Sequence, residues 1–530
     1  MRTSIATLAV VTVALGMAVA AELPGKPLAD TLYIRTDLGL VHGINAGSVD
    51  EFLGLPYASP PTGDLRWKAP ISAVPWRGVR DATVQRSACT QVITPGGDIS
   101  ASSEDCLYLN IYRPARSVPG RLHPVVVFIH GGSNKTGSGN EYDPSEMVSG
   151  TDIMVVTIDY RLGVFGFLAL PSLDAETDDF SSGNYGLMDQ QAALRWVGAN
   201  IREFGGDPSR VTVDGESAGG IDICASLASP TARGLFSKAI MESLYCPTLT
   251  HAQADEAGVG LATSIGCADP STAASCMRSK TASELLQASQ SFNASPNIGG
   301  RVLPLDPLEA FHAGQWNRSA ILLGSNHDEA TGGVALALHS AGVPLPLTAP
   351  EYVKVVGVAF KSVAPAVLNE YSALDYPSPF YAFAAEETDS QESCRLSQLA
   401  HLFSTMTATY QYEFADPSPP IPTGWPVVPP PGFGAYHGSE LQYLFRVGSQ
   451  ADAKSPAQRE LSLRMMRYWA DFARTGNPNG RELTFWPRQD LGANRVLSFK
   501  PTGDAVIQEF DANHHCEFWW SVRGYGTADR

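Results

Sequence analysis

Gly215-Glu216-Ser217-Ala218-Gly219 constrains this chain more than any other stretch. A short apolar run, Val211-Thr212-Val213, precedes it and predicts a strand. Ile221–Ala228 follows and predicts the start of a helix. A serine between two glycines at a strand-to-helix junction is a nucleophile elbow. The glycines admit the tight turn that lifts the Ser217 hydroxyl over the sheet edge. The helix aims its unpaired N–H groups at the same point and favours negative charge there. An ordinary strand–helix turn is the bland alternative, and the flanking elements argue against it.

The rest of the chain supplies a sheet to carry that turn. Leu107–Tyr112, Val125–Ile129, Ile153–Ile158, Ala239–Met241 and Ala320–Leu323 are short apolar runs bounded by Gly, Pro, Asn or Asp, the pattern of buried strands. Thr31–Thr36 and Gly39–Ile44 alternate enough for an opening hairpin. Leu187–Phe204 predicts a helix with Leu187, Ala192, Leu194, Val197 and Ile201 on one side. Met406–Phe414 predicts a late strand, and Ser462–Arg474 a late amphipathic helix stopped by Gly476 and Pro478. Strands alternating with helices imply the α/β class, with a large, mostly parallel sheet covered on both faces. No internal repeat is present. The proline-rich segment Pro417–Pro431 reads as an extended wall on one domain's surface, not as a boundary.

The 530 residues are 44% hydrophobic, enough for a large core. A net charge of −17 argues against nucleic acid and anionic membrane surfaces as partners. Arg2, the apolar stretch Leu8–Ala20 and the small residues Ala18-Val19-Ala20 predict a signal peptide over 1–20, leaving 21–530 as one domain. That run is short for a membrane span and lacks a basic flank. No later segment is long and apolar enough to span, and Gly526–Arg530 carries no anchor or retrieval signal. The expectation is a secreted or periplasmic protein without a membrane anchor. Eight cysteines fit an oxidising compartment. Cys89 with Cys106, and Cys267 with Cys276, are spaced for small disulfide loops, although spacing does not prove connectivity. No Cys-x-x-Cys or clustered His accompanies them, so neither metal nor cofactor is expected.

Several ordered motifs go further. Gly54-Leu55-Pro56-Tyr57-Ala58 is followed by Pro61-Thr62-Gly63-Asp64-Leu65-Arg66-Trp67. Glu104-Asp105-Cys106-Leu107-Tyr108-Leu109-Asn110, Asp159-Tyr160-Arg161-Leu162-Gly163 and Gly183–Gln190 come next. Tyr468-Trp469, Thr475–Asn479 and Cys516-Glu517-Phe518-Trp519 close the series. With these motifs the chain resembles the type-B carboxylesterase family from about Phe52 to Trp519. The resemblance implies an α/β-hydrolase fold in a single catalytic domain. It also implies disulfides Cys89–Cys106, Cys267–Cys276 and Cys394–Cys516, with Cys224 and Cys246 left to pair or stay free. It makes Arg66 with Glu104, and Arg161 with Asp189, structural ion pairs.

Ester hydrolysis needs a nucleophile, a base and donors for the oxyanion. Ser217 is the nucleophile of this reading. The base must be a histidine, and there are eleven. His437, in Tyr436-His437-Gly438-Ser439-Glu440, has the chain order Ser…acid…His, and the resemblance singles it out over His327, His514 and His515. The acid should follow the strand ending at Leu323. The resemblance places it at Glu329, with Asp328 the adjacent alternative. Such a carboxylate orients the imidazole and stabilises its cation. His130-Gly131-Gly132 looks like the family's oxyanion loop, so N–H groups of Gly131, Gly132 and Ala218 are the implied donors, and His130 a structural residue. Glu216 and Ser243 match positions that shape the site.

Two departures from the family pattern bear on substrate. Ser133-Asn134-Lys135 stands where the family carries apolar residues, making Asn134 and Lys135 candidate substrate contacts; Lys135 pointing to solvent is the alternative. The short Cys89–Cys106 loop holds no Trp, unlike a choline site, and is no long lipase lid. Asn134, Asn293 and Asn317 begin N-x-Ser/Thr sequons, with Asn134 too near the catalytic loop to be a good acceptor. The expectation is a secreted serine carboxylesterase working through an acyl-enzyme on a small-molecule ester. Polar or polycarboxylate esters of the fumonisin tricarballylate kind would suit the polar loop. A general short-chain or lipase-like hydrolase is the rival, and a non-catalytic cholinesterase-like adhesion protein the rival from another class.

Overall fold

The computed structural model describes residues 32–92, 102–116, 120–448, 453–490 and 494–522. The signal segment expected over 1–20 lies outside the described residues. Among those described, an 11-stranded sheet organises the chain. In chain order its strands are β1 (Ile44–Asn45), β2 (Val49–Pro56), β3 (Tyr108–Pro114), β4 (His123–Ile129), β5 (Met154–Ile158) and β6 (Gly206–Glu216). They continue with β7 (Lys238–Glu242), β8 (Ala320–Asn326), β9 (Thr409–Phe414), β10 (Val496–Phe499) and β11 (Ala505–Ile507). Across the sheet the order is β11-β10-β9-β8-β7-β6-β4-β5-β3-β2-β1. The run from β10 to β5 pairs in parallel, and both margins are antiparallel.

Alternation along each strand explains the two covered faces. In β4, Val125, Val127 and Ile129 enter one core cluster while Val126 and Phe128 enter the other. β8 repeats this with Ile321 and Leu323 against Leu322. Helices α1 (Tyr185–Asn200), α2 (Ala218–Ala228) and α3 (Cys394–Ser404) cover the first face; α4 (Pro456–Thr475) covers the second through Leu461, Met465, Met466, Trp469 and Phe472. Each such side chain contributes roughly 1.5–3 kcal/mol on burial. Ser455 starts α4 with a capping box to Gln458, and Gly476 ends it at φ 74°. This is the large, mostly parallel α/β sheet expected from the strand–helix alternation. The opening hairpin is present as Tyr33–Arg35 against Leu40–His42.

Two strands differ from the sequence expectation. β6 runs 11 residues, not only Val211–Val213, because it continues through a register shift after Gly206 and through the buried polar residues Thr212 and Asp214. β2 has no clean apolar run: Asp50 and Glu51 interrupt it, and Asp50 is buried through its 3.0 Å ion pair with Arg113. The proline-rich segment packs onto the loop that carries His437, where the Pro420 carbonyl accepts from Tyr436 Oη at 2.7 Å and Trp425 packs against Phe433.

Four disulfides join Cys89–Cys106, Cys224–Cys246, Cys267–Cys276 and Cys394–Cys516. The pair left open by the sequence, Cys224 and Cys246, ties α2 to the segment after β7. Arg161 grips Asp189 with two 2.7 Å bonds, and Arg66 Nε donates to Glu104 at 2.7 Å. Cross-link loop length predicts unequal contributions. Replacing Cys394 and Cys516 by Ser, which opens a separation of 122 residues, should cost about 5 kcal/mol. Replacing Cys267 and Cys276, separated by 9, should cost about 2.5 kcal/mol. Urea unfolding of the two double variants checks this; a reversed order would contradict it.

Candidate active site

The parallel strands deliver their C-terminal ends to one edge, where α/β sheets place their sites. β6 ends at Glu216, and Ser217 follows with φ 55° and ψ −122° before α2 begins. That strained backbone needs small neighbours. A Cβ on Gly219 would sit 2.0 Å from the Ile129 carbonyl oxygen, and one on Gly215 would sit 2.8 Å from Gly219. Only glycine at both positions lets the elbow close against the end of β4. The Ser217 N–H donates to the Glu242 carbonyl at 2.8 Å, which anchors the turn to β7. Ala218 opens α2, so the helix has no carbonyl for its N–H.

β4 ends at Ile129 and runs into His130-Gly131-Gly132. His130 is fully buried, its ring stacked on Tyr160 at 4.6 Å and its Nδ1 2.9 Å from the Gly131 carbonyl. Burial holds its pKa down at about 4, partly offset by that carbonyl, so the ring is a neutral post under the loop. A Cβ on Gly131 would lie 2.6 Å from Glu216 Oε2 and 3.0 Å from Ser217 Cβ. Gly131 is therefore directly against the elbow. Gly132, at φ 100°, accepts from the N–H groups of Lys135 and Thr136 at 2.9 and 3.1 Å, which closes the loop into a turn.

Asn134 turns inward. The left-handed backbone at Ser133 and Asn134, φ 56° and 55°, swings its side chain into the protein. Asn134 Nδ2 donates to Asp222 Oδ1 at 3.0 Å, and its Oδ1 accepts from Tyr160 Oη at 3.0 Å. It is buried and pairs the loop to α2. Lys135 is half-buried, with Nζ 3.4 Å from the Gln290 carbonyl.

The two acidic candidates separate cleanly. Asp328 Oδ2 accepts from Ala435 N at 2.9 Å and braces the loop. Glu329 is buried; its Oε1 accepts from Asn326 N at 2.6 Å and its Oε2 lies 2.7 Å from His437 Nδ1. The competing histidines are engaged elsewhere: His327 with Asp328, His514 with Asp389 and Glu413, His515 with Glu370. On the far side of the ring, His437 Nε2 is 3.2 Å from Glu216 Oε1. Burial opposes the charged ring, but Glu392, Glu216 and Glu329 outweigh it and raise the His437 pKa well above its usual value. Burial also raises Glu216 to about 7, with His437 opposing and Glu329 adding. Ser243 Oγ donates to Glu440 Oε1 at 3.4 Å, and Asn326 Nδ2 also bonds Glu440.

Sequence reasoning missed Glu392, Asn326 and Glu440 as parts of this cluster. Glu440 lies three residues after His437 in a stretch already singled out. Glu392 carried no signal, since no motif surrounds it. Outside the cluster, His251 faces Asp174 and Asp255, but its Nε2 is 2.9 Å from Asp174, a direct hydrogen bond. The assembly holds the parts that acyl transfer uses: a serine on a strained elbow, an imidazole oriented by a carboxylate, and a glycine loop at the elbow.

The loop's closeness yields a test. Gly131→Ala forces a methyl group against Glu216 and Ser217, so kcat should fall by about a hundredfold or more, with a loss of stability of about 1–3 kcal/mol from overpacking. Steady-state kinetics with thermal melts checks this, and near-normal kcat would contradict it.

Comparison with known proteins identifies the family. The model of the Carboxylesterase family matches residues 30–519. A cocaine esterase of Oryctolagus cuniculus is 36% identical over 515 residues, covering 92% of this chain and 93% of that protein. An acylcarnitine hydrolase of Mus musculus is 35% identical over 469 residues, covering 83% and 82%. A medium-chain fatty acyl-CoA hydrolase precursor of Anas platyrhynchos is 32% identical over 547 residues, covering 94% and 93%. The chain belongs to the carboxylesterase family and is a carboxylic ester hydrolase.

Proposed function

We propose that Ser217 attacks the ester carbonyl, with His437 as its base and Glu329 orienting that base. The carrying observation is the 2.7 Å contact between Glu329 and His437 beside the Ser217 elbow. His437 takes the serine proton, and the tetrahedral oxygen is received by N–H groups of Gly131, Gly132 and Ala218. Collapse expels the alcohol, protonated by His437, and leaves an acyl-serine. Water then attacks through the same base and frees the acid. Glu329 keeps His437 Nδ1 protonated and stabilises the imidazolium formed in each half-reaction.

Neutral esters are the favoured substrates. Asn134 is turned inward, Lys135 Nζ is near the Gln290 carbonyl, and Glu216, Glu329, Glu392 and Glu440 crowd the base. That field opposes a polycarboxylate acyl or alcohol group. The curated relatives' names, cocaine esterase and acylcarnitine hydrolase, also point to small-molecule esters. Secretion is part of the proposal: the four disulfides suit an oxidising compartment, and no helix among the described residues is long and apolar enough to cross a membrane.

Ser217→Ala should lower kcat/KM on p-nitrophenyl butyrate by about 10⁴-fold or more while the protein stays folded. Wild-type rates would reject the mechanism. Lys135→Ala should change KM for neutral and carboxylate-bearing esters by the same small factor. A rise in KM confined to carboxylate-bearing esters would restore the polycarboxylate reading.

A further inference from the structure

One carboxylate near His437 has no part in the mechanism above. Glu392 lies in a π-helical turn, Asp389–Ser393, between helix Pro379–Thr388 and α3. Such turns carry an extra residue, redirect side chains and recur at functional sites. This one is held from several sides. Thr388 Oγ1 accepts from the N–H of Ala330, next to Glu329, at 3.0 Å. Asp389 contacts His514 Nδ1 at 2.5 Å and accepts from Tyr371 Oη at 2.8 Å. Cys394, the residue after the turn, is bonded to Cys516.

The turn delivers Glu392 Oε2 to 3.6 Å from His437 Nδ1, the nitrogen that Glu329 Oε2 meets at 2.7 Å. Glu392 Oε2 is shielded from solvent and has no hydrogen bond of its own among the described residues. Two carboxylates thus converge on one ring N–H, one bonded and one within a small displacement of bonding. We infer that Glu392 is a positioning residue, a second carboxylate for His437 Nδ1–H that adds to Glu329 and takes its place when Glu329 is removed. The acidic groups facing the ring are Glu216 from the end of β6, Glu329 from the loop after β8 and Glu392 from the π turn, while Glu440 of the ring's own loop bonds Ser243 and Asn326. All are acidic, so deleting one charge favours the neutral ring. Neutral His437 is the competent base, and activity is lost as pH falls through its pKa.

The inference rests on the proposed triad, and its test separates the two. In Glu392→Gln the acid limb of the kcat/KM–pH profile should move down by about one pH unit, as for loss of one nearby opposite charge. Glu392→Leu should move it the same way. Glu329→Gln should retain measurable turnover, and the Glu329→Gln/Glu392→Gln double variant should fall about fivefold or more below the product of the single effects. Acid limbs that superimpose on wild type in both Glu392 variants would overturn the inference, and so would a double variant equal to that product. Ser217→Ala, run alongside, tells the failures apart: activity retained there rejects the triad itself.

Discussion

The approach of Gly219 to the carbonyl of Ile129 is the constraint on which the site depends. A side chain at Gly219 would lie 2.0 Å from that oxygen. Two neighbouring parallel strands, β4 and β6, therefore end in contact, and the loops leaving them are forced together. One becomes the Ser217 elbow and the other the His130-Gly131-Gly132 turn. Neither loop needs its own long scaffold, because strand pairing sets their separation. β7 adds the Glu242 carbonyl that receives the Ser217 N–H, and β8 adds Glu329 through the turn after Asn326. Four adjacent strands thus contribute to one cluster.

The second theme is negative charge gathered in a place that penalises it. Glu216, Glu392 and Glu440 are raised in pKa by burial, and Glu329 and His437 tune them further. One imidazole faces Glu216, Glu329 and Glu392. Such an arrangement stabilises an imidazolium, the species that serine attack creates. It is held by hydrogen bonds from backbone and amide groups, notably Asn326 to Glu329 and Glu440. The buried Asn134–Asp222–Gln190 chain under the glycine loop is a separate polar network that ties the loop to α1 and α2.

The elbow was legible because its glycines, serine and flanking elements sit consecutively in sequence. The central strands are legible because β4, β5, β7 and β8 are buried on both faces and carry short apolar runs such as Val125–Ile129 and Ala239–Met241. β2 was not, since a buried Asp50–Arg113 pair breaks its run. Resemblance and chain order single out His437 and Glu329; periodicity alone leaves His327, His514 and Asp328 in contention. The inward turn of Asn134 is not legible, because it depends on the positive φ at Ser133 and Asn134. Glu392 was invisible for a related reason: a π turn breaks the helical periodicity that would have predicted its direction. Cys224 and Cys246 needed three dimensions to be paired.

The central claim is that the elbow serine is the nucleophile. The direct measurement is mass spectrometry of the protein after reaction with a fluorophosphonate ester, read at peptide level. One stoichiometric phosphonyl adduct is expected, on Ser217, formed in step with loss of esterase activity. Inactivation with the adduct on another residue, or full activity with Ser217 modified, would contradict it.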